Sequence, residues 1–563
     1  MVILGFNSFA HNAAACVMVD GRVVAAAEEE RFSRQKNDGR LPTRAVDWCL
    51  REAGLGVADV DHVAFHWDPF LGLGRRALQL AADLGAVRRV GATQGQTWRH
   101  LLAARRDLGA WMASRGRPRY RFHRVRHHLA HAASAYLLTP YDDAAVLVID
   151  GTGEIASTTL AHGRGDGLDV LGEVLYPHSL GYLFVALTHY LGFQPECDEY
   201  KLMSLASFGT DRFVPAFREL VRLSPGGGFR LDLSYVDYHR GGRDPWVSAR
   251  FVDAFGPPRR RDQPLEDRHA DLARALQLRL EDVALHAAHE LSRRTRSRTL
   301  CLAGGVALNA VMNGRLLREG PFERVYVQPV ANDAGCSLGA AAWLHTQLTG
   351  TRPQPLPTVY LGPQYDQARC DAALDGQGLQ VTHLDEAALV EAVAGLLAQG
   401  KTVGWFQGRM EMGPRALGNR SILADPRHPD MQRIVNQTIK HRESFRPFAP
   451  AVPVDDAATW FEAPGPLPYM VFVVPVRPER RAQLPAITHV DGTARVQTVA
   501  PADNPLFHRL LKAFGRRTGV PVLLNTSFNV MGEPIVASPT DAVRTFRATD
   551  LDALVLGLAL VTK

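Results

Sequence analysis

The sequence predicts an α/β protein of two domains, the first of them internally duplicated. Three observations predict it. The opening stretch and the stretch Ala144–Val174 both read as strand, loop and hairpin. Helical patterns then alternate with short buried strands up to about residue 349. Finally, Pro353, Pro355 and Pro357 break the pattern, because proline continues neither a helix nor a central strand. The boundary is placed in this stretch, giving domains 1–355 and 356–563. For 563 residues, roughly 100–200 residues per domain allows such a division.

Each element has a local reason. Val2–Phe6 is an apolar strand, and Ala13–Val19 and Arg22–Ala27 flank Asp20-Gly21, a pair suited to a tight hairpin that needs positive φ twice. Pro42-Thr43 starts a helix with the stripe Val46, Cys49, Leu50 and Ala53, and Gly54 stops it. Residues 70–112 read as amphipathic helix. Ala144–Ile149 is a strand ending in Asp150-Gly151, followed by strands Ser157–Ala161 and Asp169–Val174 about the turn Gly163–Gly167. A long helix spans 264–291. Strands Thr299–Ala303 and Arg324–Gln328 each run into a glycine-bearing loop and a helix. In the second domain the pattern predicts helix 387–399, strand Thr402–Gln407, strand Val520–Leu524 and a closing buried strand Ala553–Val561.

Composition narrows the class. Hydrophobic residues make up 46%, enough for a core in each domain. Lys plus Arg number 64 against 58 Asp plus Glu, a net charge of +6, too mild to argue for nucleic acid by itself. Six cysteines, none in a C-x-x-C pair and most in apolar runs, predict reduced buried thiols and a cytoplasmic protein. The first residues lack a basic leader, and no apolar run reaches the ~18 residues of a membrane span.

Chemistry gathers in three places. His127 and His131 are four apart at the start of an alanine-rich helical run, so their imidazoles share a face. With Asp150 and Asp333 at strand ends they would form a two-nitrogen, two-oxygen set suited to Fe²⁺, Mn²⁺ or Zn²⁺ rather than Ca²⁺. His128 is expected to be solvated or an outer neighbour. Second, the loops Asp150-Gly151-Thr152-Gly153 and Gly304-Gly305-Val306-Ala307-Leu308-Asn309 offer backbone amides to an anion. Third, Arg409, Arg415, Arg420 and Arg427 lie in one glycine-rich stretch, followed by Lys440, Arg442 and Arg446 and by Asn525-Thr526-Ser527-Phe528-Asn529. Guanidinium groups grip phosphates bidentately, and interleaving with Gly, Pro and Phe favours an anion site over a solvated surface.

These motifs, together with Tyr200-Lys201-Leu202-Met203, Gly413–Ser421 and Phe445–Pro450, resemble the antibiotic and nodulation-factor O-carbamoyltransferases, which include the tobramycin and cephamycin pathway enzymes. The resemblance runs from the first strand to the last. It implies an actin/sugar-kinase-like (ASKHA) first domain, similar to the tRNA threonylcarbamoyl transferase, and a YrdC-like second domain. The YrdC-like domain would make carbamoyl adenylate from carbamoyl phosphate and ATP with Mg²⁺. The first would pass the carbamoyl group to a hydroxyl of a small natural-product acceptor. Residue by residue it implies iron ligands His127, His131, Asp150 and Asp333. Gly151, Gly153, Lys201, Gly304, Gly305 and Asn309 fall to the nucleotide. Lys440, Arg442, Ser527 and Asn529 would contact carbamoyl phosphate and nucleotide, with Arg415, Arg446, Arg495 and Asn525 around them. His11 would sit beside the transfer chemistry, although Asn12 stands where the family usually has Asp.

A hydroxyl proton would pass to His11, and an internal route between sites would protect the labile adenylate from water. The rival reading is a tRNA-modifying threonylcarbamoyl-type transferase, for which the six arginines between Arg115 and Arg126 would supply phosphate contacts. A solvated connection explains that run better, so neither nucleic acid nor membrane is expected as partner. The hydrogenase-maturation relative carries C-x-x-C fingers that are not found here. The acceptor's identity and a homodimer stay open, with insertions 70–125 and 225–262 expected to shape the acceptor pocket.

Overall fold

The computed structural model describes residues 1–8, 11–72, 84–240 and 246–563. They form two compact units, Met1–Glu29 with Asn37–Pro357, and Glu30–Lys36 with Thr358–Lys563. The short segment Glu30–Lys36, which the linear reading puts in the first domain, groups with the second. Its side chains explain this: Arg31 donates to the Gly413 carbonyl at 2.8 Å, and Arg34 to the carbonyls of Ile535 and Pro534 at 2.7 and 2.9 Å.

The first unit holds two five-stranded sheets of the same design. In one, β1 (Val2–Asn7), β2 (Ala14–Val19), β3 (Arg22–Glu28), β4 (His62–Phe65) and β5 (Arg121–Arg124) run in the order β3-β2-β1-β4-β5. In the other, β6 (Asp143–Ile149), β7 (Ala156–Arg164) and β8 (Gly167–Leu175) combine with two later strands. A small hairpin, β9 (Val221–Ser224) with β10 (Gly228–Leu231), intervenes before these, β11 (Thr299–Ala303) and β12 (Arg324–Val327). The order is β12-β11-β6-β7-β8. Each sheet joins an antiparallel meander to parallel strands at its first strand, β1 or β6. The duplication in the sequence is therefore a duplication of topology. β1 and β11 are buried along their whole length, as strands covered on both faces must be. The β2–β3 turn places Asp20 and Gly21 at φ 47° and 77°, the conformation that the Asp-Gly pair favours.

Helix Ala334–Thr349 packs on β1 and on helix His127–Tyr136. The approach is close enough that a Cβ on Gly339 would fall 1.8 Å from the Ala130 carbonyl oxygen, so only glycine fits there. This contact lays the segment beginning at Asp333 against the histidine helix. The long helix runs Asp267–Thr295 with Leu272, Leu276, Val283 and Ala287 buried, as its stripe requires. Of the helix expected over 70–112, Leu84–Ala113 is helical and 70–72 is turn, while 73–83 lie outside the described residues, as do 241–245 of the later insertion.

The second unit is a mixed eight-stranded sheet with a two-stranded annex. Its strands are β13 (Gln380–His383), β14 (Val403–Phe406), β15 (Arg420–Ala424), β16 (Ala449–Pro453), β17 (Val473–Pro475), β18 (Thr493–Arg495), β19 (Gln497–Val499), β20 (Leu523–Ser527), β21 (Ala553–Leu556) and β22 (Ala559–Thr562). The large sheet runs β13-β22-β21-β14-β15-β20-β16-β19, and β17 pairs with β18. Helices Glu386–Ala398 and Pro505–Thr518 close its core around Trp405, Phe507 and Phe514. Two expectations are corrected. Ala553–Val561 is a hairpin, turned at Gly557 with φ 62°. The strand expected over Val520–Leu524 starts at Leu523 and extends through Ser527, because Pro521 cannot donate to a ladder. Among the described residues no helix is long and apolar enough to cross a membrane.

Candidate metal centre and anion site

His127 and His131 lie on helix His127–Tyr136, whose first turn is tied down from outside. The buried Glu154 carboxylate accepts the His127 backbone N–H at 3.0 and 3.1 Å, placing a negative charge at the positive end of the helix. Asp150 follows β6 and Asp333 precedes helix Ala334–Thr349. The Gly305 N–H donates to Asp150 Oδ1 at 2.8 Å, which leaves Oδ2 to face the histidines. His127 Nε2 lies 3.2 Å from Asp150 Oδ2 and 3.6 Å from Asp333 Oδ1, and His131 Nε2 lies 3.9 and 3.6 Å from the same two atoms.

These four side chains are buried, with ligand atoms all within 4.8 Å of one another. A tetrahedral cation held at about 2.0–2.2 Å would separate its ligand atoms by roughly 3.3–3.6 Å. The observed spacings bracket that value. Neither ring nitrogen of His131 has a hydrogen-bond partner, an arrangement costly for a buried imidazole unless a cation takes a lone pair. The donor set and its geometry therefore fit a divalent cation.

Electrostatics agrees. Burial alone would lower the His131 pKa, yet Cys336 and Asp333 raise it to about 10, and His127 is raised for the same reasons. Burial works against charge on Asp150 and Asp333 too, but the neighbouring imidazoles, with His11 acting on Asp333, hold both well below the usual carboxylate range. The pocket demands positive charge, which two imidazolium ions or one divalent cation with neutral rings would supply. Cys336 belongs to this environment: burial pushes its thiol up, and His131 and His127 outweigh that to bring it down to about 5. It thus lies in a more positive environment than its apolar sequence context suggests. His128 is not solvated. It is buried against Thr159 Oγ1 at 2.9 Å, and burial lowers its pKa to about 3.

The glycine loops serve the cluster directly. A Cβ on Gly153 would meet His128 Cδ2 at 2.8 Å and His127 Cβ at 3.3 Å, so the Asp150–Gly153 loop closes on the helix only with glycine there. Gly151 lies under the ring of Tyr182. Gly304 adopts φ 91° at the end of β11, ahead of the amide of Gly305. Asn309 is engaged as a helix N-cap, accepting the Met312 N–H at 3.0 Å and donating to Gln277 at 2.8 Å. Lys201 pairs with Asp198 at 2.9 Å. His11 is half-buried, with Nδ1 2.9 Å from Asn12 Oδ1. Burial lowers its pKa, but Asp333, Glu196 and Asp150 together raise it, which puts His11 within electrostatic reach of the cluster. Asn12 can accept the Nδ1–H, and that tautomer leaves Nε2 as the basic nitrogen.

In the second unit, Lys440 ends a π-helical turn, Val435–Lys440, a geometry common at functional sites. Its ammonium donates to Ser527 O at 2.6 Å, Asn529 O at 2.9 Å and Asn529 Oδ1 at 2.7 Å, with Ser527 Oγ at 3.2 Å. Arg442 Nε bonds Asn436 Oδ1 at 2.6 Å, and its guanidinium covers Phe448. Arg446 lies 3.8 Å from Glu443. Burial, then Arg415, Arg442 and Arg446, depress Arg495 well below the usual guanidinium range, and burial, Arg442, Arg446 and Lys36 do the same to Lys440. Arg495 Nε has no hydrogen-bond partner. The charges of these basic groups act on one another, and a bound anion would relieve that repulsion. Asn525 is buried in β20, where it bonds Gln497 at 2.8 Å.

Of the four arginines in the glycine-rich stretch, Arg415 acts on Arg495, whereas Arg409, Arg420 and Arg427 bond carbonyls or a carboxylate of their own surroundings. Arg420 is fully buried, covers Phe406 at 3.7 Å and donates to carbonyls of Pro363, Gln407, Gly408 and Asn419. Arg427 grips Asp425, and Arg409 bonds the carbonyls of Leu361 and Gly362. Sequence reasoning also missed His66, Glu154 and Glu411. Their partners lie far off along the chain or in the backbone, so no spacing marks them.

Fold and site define a two-unit α/β enzyme with a buried two-histidine, two-aspartate cluster in one unit and a basic cluster in the other. The chain belongs to the carbamoyltransferase family: residues 2–82 and 87–342 match its "Carbamoyltransferase N-terminus" description and 394–563 its "Carbamoyltransferase C-terminus". It is 42% identical to "Uncharacterized protein sll1178" of Synechocystis sp., over 98% of this chain and 95% of that protein. It is 39% identical to "Nodulation protein NolNO" of Sinorhizobium fredii, over 99% and 80%. The "3'-hydroxymethylcephem-O-carbamoyltransferase" of Streptomyces clavuligerus is 39% identical over 46% of this chain and 47% of its own.

Proposed function

We propose that this carbamoyltransferase makes carbamoyl adenylate in its second unit and transfers the carbamoyl group in its first to a hydroxyl of a small natural-product acceptor. The duplicated five-strand topology supports an actin/sugar-kinase-like assignment for the first unit, and the family supports a YrdC-like one for the second. The observation that carries the reading is the pair of complementary clusters. One is acidic and imidazole-rich, fit for a cation beside glycine loops. The other is a set of crowded basic groups, fit for phosphates.

Carbamate nitrogen donates into its carbonyl, so the group is a poor electrophile until a good leaving group is attached. In the second unit Lys440, Arg442, Arg415 and Arg495 neutralise the phosphates of carbamoyl phosphate and ATP. Hydrolysis of the first releases phosphate and carbamate. The carbamate oxygen then attacks the α-phosphorus of ATP, and pyrophosphate leaves. In the first unit His127, His131, Asp150 and Asp333 would hold a divalent cation, Fe²⁺ by family resemblance, which would supply Lewis acidity to the transfer. His11 Nε2 accepts the proton of the acceptor hydroxyl as its oxygen attacks the carbamoyl carbon, and AMP departs. Mass spectrometry across a panel of hydroxylated natural products, supplied with ATP and carbamoyl phosphate, tests this. A mass gain of one carbamoyl group on at least one of them is expected. Transfer to tRNA and to none of the small molecules would overturn the acceptor assignment.

A further inference from the structure

We propose that His66 is the positioning residue of the metal centre: it accepts the Nδ1–H of His127 and thereby leaves His127 Nε2 as the bare, ligating nitrogen facing Asp150 and Asp333. The inference rests on the cation reading above and goes beyond the four ligands.

His66 follows β4 and is 1% exposed. Its Nδ1 lies 3.0 Å from His127 Nδ1. Two ring nitrogens at that distance bond only if one carries a proton and the other a lone pair. The far side of His66 offers both choices. Its Nε2 lies 3.4 Å from the Ser8 carbonyl oxygen and 3.3 Å from the Ser8 backbone nitrogen. When His66 donates Nε2–H to the Ser8 carbonyl, its Nδ1 is a lone pair. His127 must then supply the proton between the rings, and its own Nε2 is free to ligate. When the Ser8 N–H donates instead, His66 carries its proton on Nδ1, and a neutral His127 has its proton on Nε2, aimed at Asp150 Oδ2 3.2 Å away. The first pairing fits a cation-loaded pocket, and the second an empty one.

The relative position of the two rings is fixed independently. Glu154 Oε1 accepts both the His127 N–H at 3.0 Å and the Asp68 N–H at 2.9 Å, so one carboxylate ties the backbone of the His66–Asp68 segment to the start of the ligand helix. Trp67 packs on the His127 ring with centroids 5.1 Å apart. Cys336 Sγ is a competing acceptor at 3.9 Å, weaker than the 3.0 Å nitrogen. Outer partners of this kind set ligand tautomer and basicity, and losing one typically lowers metal affinity about 10–100-fold.

The test is anaerobic titration of the metal-stripped full chain with Fe²⁺ against a competing chelator, with elemental analysis of stoichiometry and circular dichroism as a folding check. The wild type is expected to bind one Fe²⁺ per chain, and His66→Phe to bind it about 10–100-fold more weakly. His66→Gln, whose amide oxygen accepts the same proton, should recover most of the loss and keeps the test valid if His66→Phe fails to fold. Equal affinity in wild type and His66→Phe overturns the inference while the metal centre stands. Two Fe²⁺ per chain, one lost in both His66→Phe and Cys336→Ala, would make His66 a ligand of a second cation and also overturn it. No Fe²⁺ bound by the wild type removes the cation reading itself.

Discussion

Lys440 Nζ sits 2.7 Å from Asn529 Oδ1 and 2.6 Å from the Ser527 carbonyl oxygen, an ammonium held by the end of a strand 87–89 residues away. Burial and the nearby Arg442, Arg446 and Lys36 lower its pKa well below the ordinary lysine value. If the charged form binds phosphate, activity is lost as pH rises through that lowered pKa. The alkaline limb of carbamoyl-phosphate-dependent pyrophosphate release should therefore fall at a pH below the usual 10.5. Lys440→Ala should reduce that release on the order of a hundredfold or more. A full rate in Lys440→Ala would remove the residue from the site.

Asp150 is the residue at which the proposed division into two half-reactions can be tested. Its Oδ2 faces His127 while Oδ1 is fixed by the Gly305 amide, so Asp150→Asn replaces an anionic ligand without removing volume. We expect pyrophosphate release in the second unit to continue, and carbamoyl transfer and Fe²⁺ affinity both to drop at least about tenfold. Parallel loss of both half-reactions would contradict the assignment of one to each unit.

What could be read from the sequence was whatever local periodicity encodes. The Asp20-Gly21 turn, the shared face of His127 and His131, the strand end at Asp150 and the strand-to-helix junction at Asp333 are consequences of spacing. Burial partners are not. Arg415 and Arg420 stand in the same motif, yet one meets other arginines and the other stacks on Phe406 among carbonyls. Their identities as residues are equal; only the course of the chain around them differs. His66 reaches His127 across 61 positions, and Glu30–Lys36 joins residues 382–501 positions later.

Glu411 illustrates the same limit and gives a stability prediction. Its buried Oε1 accepts the backbone N–H of Leu417 at 2.7 Å, Asn419 at 2.9 Å and Arg420 at 3.3 Å, organising the loop that carries Arg415. Glu411→Ala leaves these donors without a partner, at a cost of about 1–3 kcal/mol or more. Glu411→Gln keeps an acceptor oxygen and gives up only the charge, so it should cost less. Thermal unfolding of both variants checks the order. Equal stability of wild type and Glu411→Ala would mean that the loop finds other acceptors.

Glu199 sets a pH dependence in the first unit. It opens helix Glu199–Leu205, and its carboxyl accepts the Glu196 N–H at 2.7 Å. Burial raises its pKa from 4.5 to about 7, against weaker opposing effects of backbone hydrogen bonds and His11. The folded state therefore holds a proton that the unfolded chain has released, and the sign follows. Between about pH 4.5 and 7 the native state binds more protons, so stability falls as pH rises through this window. At about 1.4 kcal/mol per pKa unit the whole contribution is on the order of 3 kcal/mol. Glu199→Gln mimics the neutral carboxyl and removes the titration. The difference in unfolding temperature between variant and wild type should thus favour the variant progressively from pH 5 to pH 8. A difference that stays constant over that range would show that Glu199 is ionised in the fold at all of these pH values, its burial relieved by water or by the Glu196 amide.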